Sequence, residues 1–158
     1  MLTVSTCLLA FALALSAGVV AEQRCPKPAG VPEELARATA VFSGEAVGAG
    51  YRRVDLSAVG GVGEIEVWAV RFKVTRWWKG GGPAEAVVYT SSTRTPGVGL
   101  HSLAEGPALR KGESYLVYAY GPPHMLKAGQ CSRTKPLARA AEDLRELGEG
   151  RAPEERRE

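Results

Sequence analysis

Cysteines, histidines and paired carboxylates are the residues of this chain with types and spacings that could do chemistry. Cys25 and Cys131 lie far apart, and a third cysteine, Cys7, sits near the amino terminus. Two thiols in an oxidising compartment form a bridge, whereas a lone thiolate serves as a nucleophile or ligand. His101 and His124 each stand alone in a loop or short-strand context. A histidine base needs a nucleophile within hydrogen-bond reach, and the chain holds no G-x-S-x-G, H-E-x-x-H or C-x-x-C motif. Glu33-Glu34 and Glu142-Asp143 could divide acid and base work. Both pairs fall on expected exposed helix faces, where solvated charge is the plainer reading. The glycine runs GGVG and KGGG read as turns, since no lysine and hydroxyl pair follows them as in a phosphate loop. The expectation is a protein that is not an enzyme, with no catalytic residue, no metal and no cofactor.

The compartment follows from the first residues. MLTVSTCLLAFALALSAGVVA has an apolar stretch and then small residues ending at Ala21. It is short for a spanning helix, which needs about 20 apolar residues. The reading is a signal peptide over 1–21, giving a secreted protein, extracellular or periplasmic, with no membrane span in the mature chain. Cys7 leaves with the leader. Cys25 and Cys131 then remain as an even pair, read as a disulfide, with two free buried thiols as the alternative. The bridge would close a loop of about 100 residues, for which chain entropy gives about 4–5 kcal/mol. The formal net charge is +3, and its lysines and arginines are scattered. That is no nucleic-acid footprint.

These residues must be positioned by a short list of elements. PEELARAT, 32–39, has a proline and two glutamates in its first turn and predicts a short helix. AVFSGEAV, 40–47, reads as a strand and 52–63 as a loop. EIEVWAVRFKVTRWW, 64–78, alternates, then slips phase near Ala69-Val70. A one-residue slip turns every side chain to the other face, so a β-bulge or bend is expected there. KGGGP is a turn, 84–90 a strand, 91–99 a loop, LHSL 100–103 a short strand or loop, and 113–120 a central strand. HMLKA, 124–128, could be a last short strand. PLARAAEDLRELG, 136–148, predicts a helix with its apolar stripe at Leu137, Ala140, Ala141, Leu144 and Leu147. The charged residues 149–158 read as a disordered tail. The fold expected is mainly β: an OB-like five-stranded Greek-key barrel with a short N-terminal and a C-terminal helix, forming one domain over 22–148.

The blocks AVFSGEAV, VRFKVTRWWKG, KGESYLVYAY and CSRTKPLARAAEDLRELG, behind an initial CP, resemble the netrin-like domain. More closely they resemble secreted bacterial relatives of the tissue inhibitors of metalloproteinases. The likeness spans roughly 25–147 and implies the OB-like barrel. It also implies that Cys25 matches the second cysteine of the family's Cys-x-Cys start and that Cys131 is its partner. Gln23 holds the first cysteine's position, and PGVGL, 96–100, lacks that cysteine's partner. Family inhibitors chelate the protease zinc through a preorganised terminal cysteine. A Glu22-Gln23-Arg24 lead does not supply one. The resemblance therefore implies a secreted, non-catalytic binding module for an extracellular or cell-surface protein. The alternatives are a metalloproteinase inhibitor and an OB barrel that binds glycans or oligonucleotides.

The candidate binding surface is the N-terminal arm with Glu22, Gln23, Arg24 and Pro26, together with Trp77, Trp78 and Lys79 on the barrel edge. Trp68, Trp77, Trp78, Tyr89, Tyr115, Tyr118 and Tyr120 all fall on strands, where most must fill a small core. Trp77 and Trp78 are neighbours and must face opposite ways in a strand.

Overall fold

A computed structural model describes residues 29–95, 99–102, 109–129 and 131–154. The expected leader, Cys25 and the candidate arm residues Glu22, Gln23, Arg24 and Pro26 lie outside them. Helix α1 spans Val31–Arg37, with Pro32 and two acidic residues in its first turn. Proline loses nothing there, because the first N–H groups of a helix have no internal partner.

Strand β1, Ala40–Asp55, and strand β2, Glu64–Lys79, form an antiparallel hairpin of two 16-residue strands. β1 is longer than expected. Residues 52–55, expected in a loop, pair with Glu64–Val67. Their sequence shows no clean period because this half of β1 is mostly half-buried or exposed on both faces. A 3-10 turn over Leu56–Val59 joins the strands, started by the Asp55 side chain accepting from the Ser57 N–H at 2.8 Å. The phase slip read near Ala69-Val70 has its structural counterpart. Ala69 and Val70 are both buried, and the register shifts between Val67 and Ala69 against the next strand and at Val47 on β1.

Strand β3, Glu85–Thr95, continues through 91–95, where a loop was expected, because β4, Gly99–Ser102, pairs back on it. β5 is Ser114–Ala119, β6 only Lys135–Pro136, and helix α2 Ala141–Leu147. The fold is mainly β. All the strands join one antiparallel sheet in the order β4-β3-β2-β1-β5-β6. The C-terminal helix is shorter than 136–148, because Pro136 pairs with Tyr115 and Leu137–Arg139 form a 3-10 turn. Ala141, expected in the apolar stripe, is exposed at the start of α2.

Residues 126–128 connect the two arms of the sheet. The Tyr89 N–H donates to Leu126 O at 2.8 Å and the Ala128 N–H to Tyr89 O at 3.1 Å. Tyr120 and Lys127 exchange both backbone bonds, at 2.9 and 2.8 Å. The segment runs parallel to β3 and antiparallel to β5. Hydrogen bonds thus lead from β1 through β2, β3, 126–128 and β5 back to β1.

β5 and the first residues of β1, Ala40 to Gly44, are buried on both faces. Phe42, Ala46, Phe72, Val88, Tyr115 and Val117 pack inside this ring. Val41, Leu116 and Tyr118 point the other way, against Ala38, Ala140 and the apolar sides of the two helices. β5 therefore shows no alternation in its sequence, as expected of a strand covered on both sides.

Candidate functional site

The strand end and turn at 77–82 do not present the side chains expected of them. Trp77 is 3% exposed and packs in the inner core against Phe42, ring centroids 4.9 Å apart. Its Nε1–H donates to Pro83 O at 3.1 Å. Trp78 is half-buried on the helix side and donates through Nε1–H to Gly148 O at 2.8 Å. The pair does face opposite ways. The Lys79 Nζ donates to Leu35 O and Ala36 O, both at 2.8 Å. It caps the carbonyl end of α1, where a cation also meets the negative end of the peptide dipoles. Trp77 and Lys79 thus support the structure at this edge, and Trp78 contributes only part of its ring to the surface.

The same edge is covered by the chain itself. Residues 149–154 were expected in a disordered tail. They instead lie along the end of β2 and the following turn. Trp77 and Arg151 exchange both backbone bonds, at 2.8 and 2.7 Å, and the Glu154 N–H donates to Gly82 O at 2.9 Å. Arg76 Nη1 adds a bond to Gly150 O at 3.1 Å. β3 stops pairing with β2 at Lys73, so this length of β2 would otherwise be an open edge. Gly150 is required by close approach: a Cβ there would lie 2.9 Å from Trp78 Cε2 and 3.1 Å from Trp77 O.

The paired carboxylates are not both solvated, which corrects the sequence reading. Glu33 and Glu142 are exposed, but Glu34 is 7% exposed and Asp143 is fully buried. Asp143 accepts from Arg133 Nε and Nη2 at 3.0 and 2.8 Å, from Lys135 Nζ at 2.8 Å and from the Tyr118 hydroxyl at 3.1 Å. Burial alone would raise its pKa. The hydrogen bonds from Arg133 and Lys135 and their charges outweigh it and bring the carboxyl down to about 2. The Tyr118 hydroxyl is pushed up, first by burial and then by the Asp143 charge. Glu34 accepts from the Tyr120 hydroxyl, whose pKa is likewise raised by burial and by that carboxylate. Each acid is consumed as an acceptor between a helix and the sheet.

Arg133 reaches further. Its Nη1 donates to Ala29 O at 2.7 Å, holding the start of the described chain beside α2. Cys131 lies two residues before it and is not a free thiol. The chain's other cysteines, Cys7 and Cys25, are outside the described residues. Of the two histidines, His124 is exposed on a 3-10 turn. No group of three metal-ligating side chains occurs among the described residues, and no helix there is long and apolar enough to cross a membrane. The sequence matches no protein-family model and no curated protein.

A concave surface also lies on the far half of the β1–β2 hairpin. Gly48, Ala49, Gly50, Tyr51, Arg52, Ala69 and Arg71 line a cleft of about 260 Å³. Sequence reading passed over this stretch because the glycines interrupt the strand pattern. The available signal was the alternation of Gly48, Gly50 and Arg52, which puts small residues beside a cation on one strand face.

Proposed function

We propose that this chain is a secreted, non-catalytic binding module of the netrin-like type. In this reading it is an OB-type barrel stapled by a Cys25–Cys131 disulfide, and it recognises an extracellular or cell-surface protein. The observation that carries the reading is the grip of Arg133 on Ala29, two residues beyond Cys131. It brings the arm that follows Cys25 to the segment before α2, the two places the resemblance would join. Four residues of extended chain reach about 13 Å, which leaves Cys25 room to approach Cys131. The order of hydrogen bonding is consistent with an OB-type connection. Its support is a last short segment, 126–128, between β3 and β5, parallel to the first and antiparallel to the second.

A contact surface for a partner has to lie away from Trp77 and Lys79, whose polar atoms are engaged within the chain. The test is peptide mapping of the exported protein without reduction. A cross-linked pair of peptides containing Cys25 and Cys131, with a mature start near Glu22, is the expected result. Two free thiols overturn the reading. An inhibition assay against a panel of secreted zinc endopeptidases separates the module from a chelating inhibitor: the module leaves their activity unchanged.

A further inference from the structure

β5 pairs with β1 only as far as Glu45, and the contact ends one residue on, where Gly112 and Glu113 bond to Ala46 at 2.7 and 2.9 Å. From Gly48 to Asp55, β1 pairs with β2 on one side, and no other described residue pairs with it. Alternate residues of an antiparallel strand turn their N–H and C=O groups away from the partner. Among the described residues, this half of β1 therefore leaves a row of backbone groups unused, the template to which an extended chain adds.

Charge is arranged at that edge. Arg71 of β2 stands opposite Gly48. A Cβ on Gly48 would lie 3.7 Å from Arg71 Nη2 and 3.9 Å from Nε, so the guanidinium of this β2 residue lies over β1 at the glycine. Arg52 is on the same face, four residues along the strand from Gly48. Both arginines are exposed, and no hydrogen bond or ion pair joins either guanidinium to a described residue. Arg53, on the opposite face, is paired with Glu64 at 3.5 Å. Between the two free cations the floor is Gly50 and Ala69, and nothing lies within 4 Å of a Cβ on Gly50.

We propose that the β1 edge from Gly48 to Arg53 binds an extended acidic peptide as an added strand, with two carboxylates held by Arg71 and Arg52. Glutamates four positions apart fall on one face of the incoming strand. They are then spaced by about 13 Å, as are Gly48 and Arg52. Guanidinium forks bind carboxylates through paired hydrogen bonds, and the main chain supplies the rest. This inference rests on the binding-module reading and names the partner's chemistry.

The probe is a capped, fluorescent peptide of alternating threonine and valine with two glutamates four positions apart. It is titrated into the mature chain and followed by anisotropy. Saturable binding is expected. It weakens about tenfold or more in R52E/R71E, and about as much when alternate peptide nitrogens are methylated. Circular dichroism verifies the fold of the variant. Gly48→Val, which fills the space under Arg71 without changing charge, gives a second reading of the same contact and is expected to weaken binding too. Absent saturation, equal binding of the methylated peptide, equal binding by R52E/R71E, or stronger competition by an acidic polysaccharide than by unlabelled peptide each overturns the proposal. A mapped Cys25–Cys131 bridge together with any of those results removes this inference alone and leaves the binding module standing.

Discussion

The helix-facing side of the sheet and the far half of the β1–β2 hairpin use charge in opposite ways. On the helix side, Asp143 is buried and meets Arg133, Lys135 and Tyr118, while Glu34 meets Tyr120. Each of these contacts ties a helix or the chain's start to the sheet. On the hairpin, Arg52 and Arg71 are exposed, Arg71 over Gly48, and neither is spent on a described residue. A charge enclosed with its partners is a structural commitment, since removing one leaves the others desolvated and unpaired. A charge left in water beside an open backbone edge costs the fold little and remains available. The comparison separates residues that hold this protein together from residues free to contact something else.

The sharpest way to break that contrast is at Asp143. Asp143→Ala strands Arg133, Lys135 and the Tyr118 hydroxyl. It is expected to cost about 3–5 kcal/mol, measured by urea unfolding. A loss under about 1 kcal/mol would place this cluster with ordinary surface pairs. Acid acts on the same group. Because its folded pKa, about 2, lies below the ordinary 3.8, its contribution is complete above about pH 4 and drains away as pH falls towards 2. Unfolding midpoints across that window should fall in the parent and fall less in Asp143→Asn. Tyr120→Phe removes one donor from buried Glu34 and is expected to cost about 1–3 kcal/mol, read from the shift in thermal midpoint. Gly150→Val drives a side chain into Trp78 and is expected to lift the 149–154 segment at about 1 kcal/mol. Faster hydrogen exchange at the Trp77 and Arg151 amides, with the Phe72 amide unchanged, is its signature. The smallest effect belongs to the hairpin: Arg52→Ala with Arg71→Ala should move stability by no more than about 0.5 kcal/mol. A larger loss in that unfolding measurement would show that these arginines belong to the fold after all.

Much of the architecture was legible in local pattern. Pro32 and the following glutamates marked α1, the slip at Ala69-Val70 marked the irregularity in β2, and the adjacency of Trp77 and Trp78 required opposite faces. The site was less legible. Asp143 stands three residues after buried Ala140 and four before Leu147, so helical spacing does place it beside the apolar stripe. Glu34 stands likewise between Val31 and Ala38, both buried. Their burial could have been suspected, but their partners could not. Tyr118 and Tyr120 come from elements far along the chain, and Arg133 from a turn whose course local pattern does not set. The covering of β2 by 149–154 was hidden for a different reason: a polar, proline-containing segment pairs through its backbone, which carries no side-chain pattern.

Sequence by itself determined the mainly β class, the place where α1 starts and the alternation that buries one face of β2, since these depend on residues a few positions apart. Only the tertiary structure decided which carboxylates are enclosed, that Lys79 caps α1 and that the edge near Trp77 is occupied while β1 beyond Gly48 pairs on one side only among the described residues. Those outcomes turn on which distant strands and helices come to lie side by side, and desolvation and edge pairing are properties of that arrangement, with no imprint on neighbouring letters.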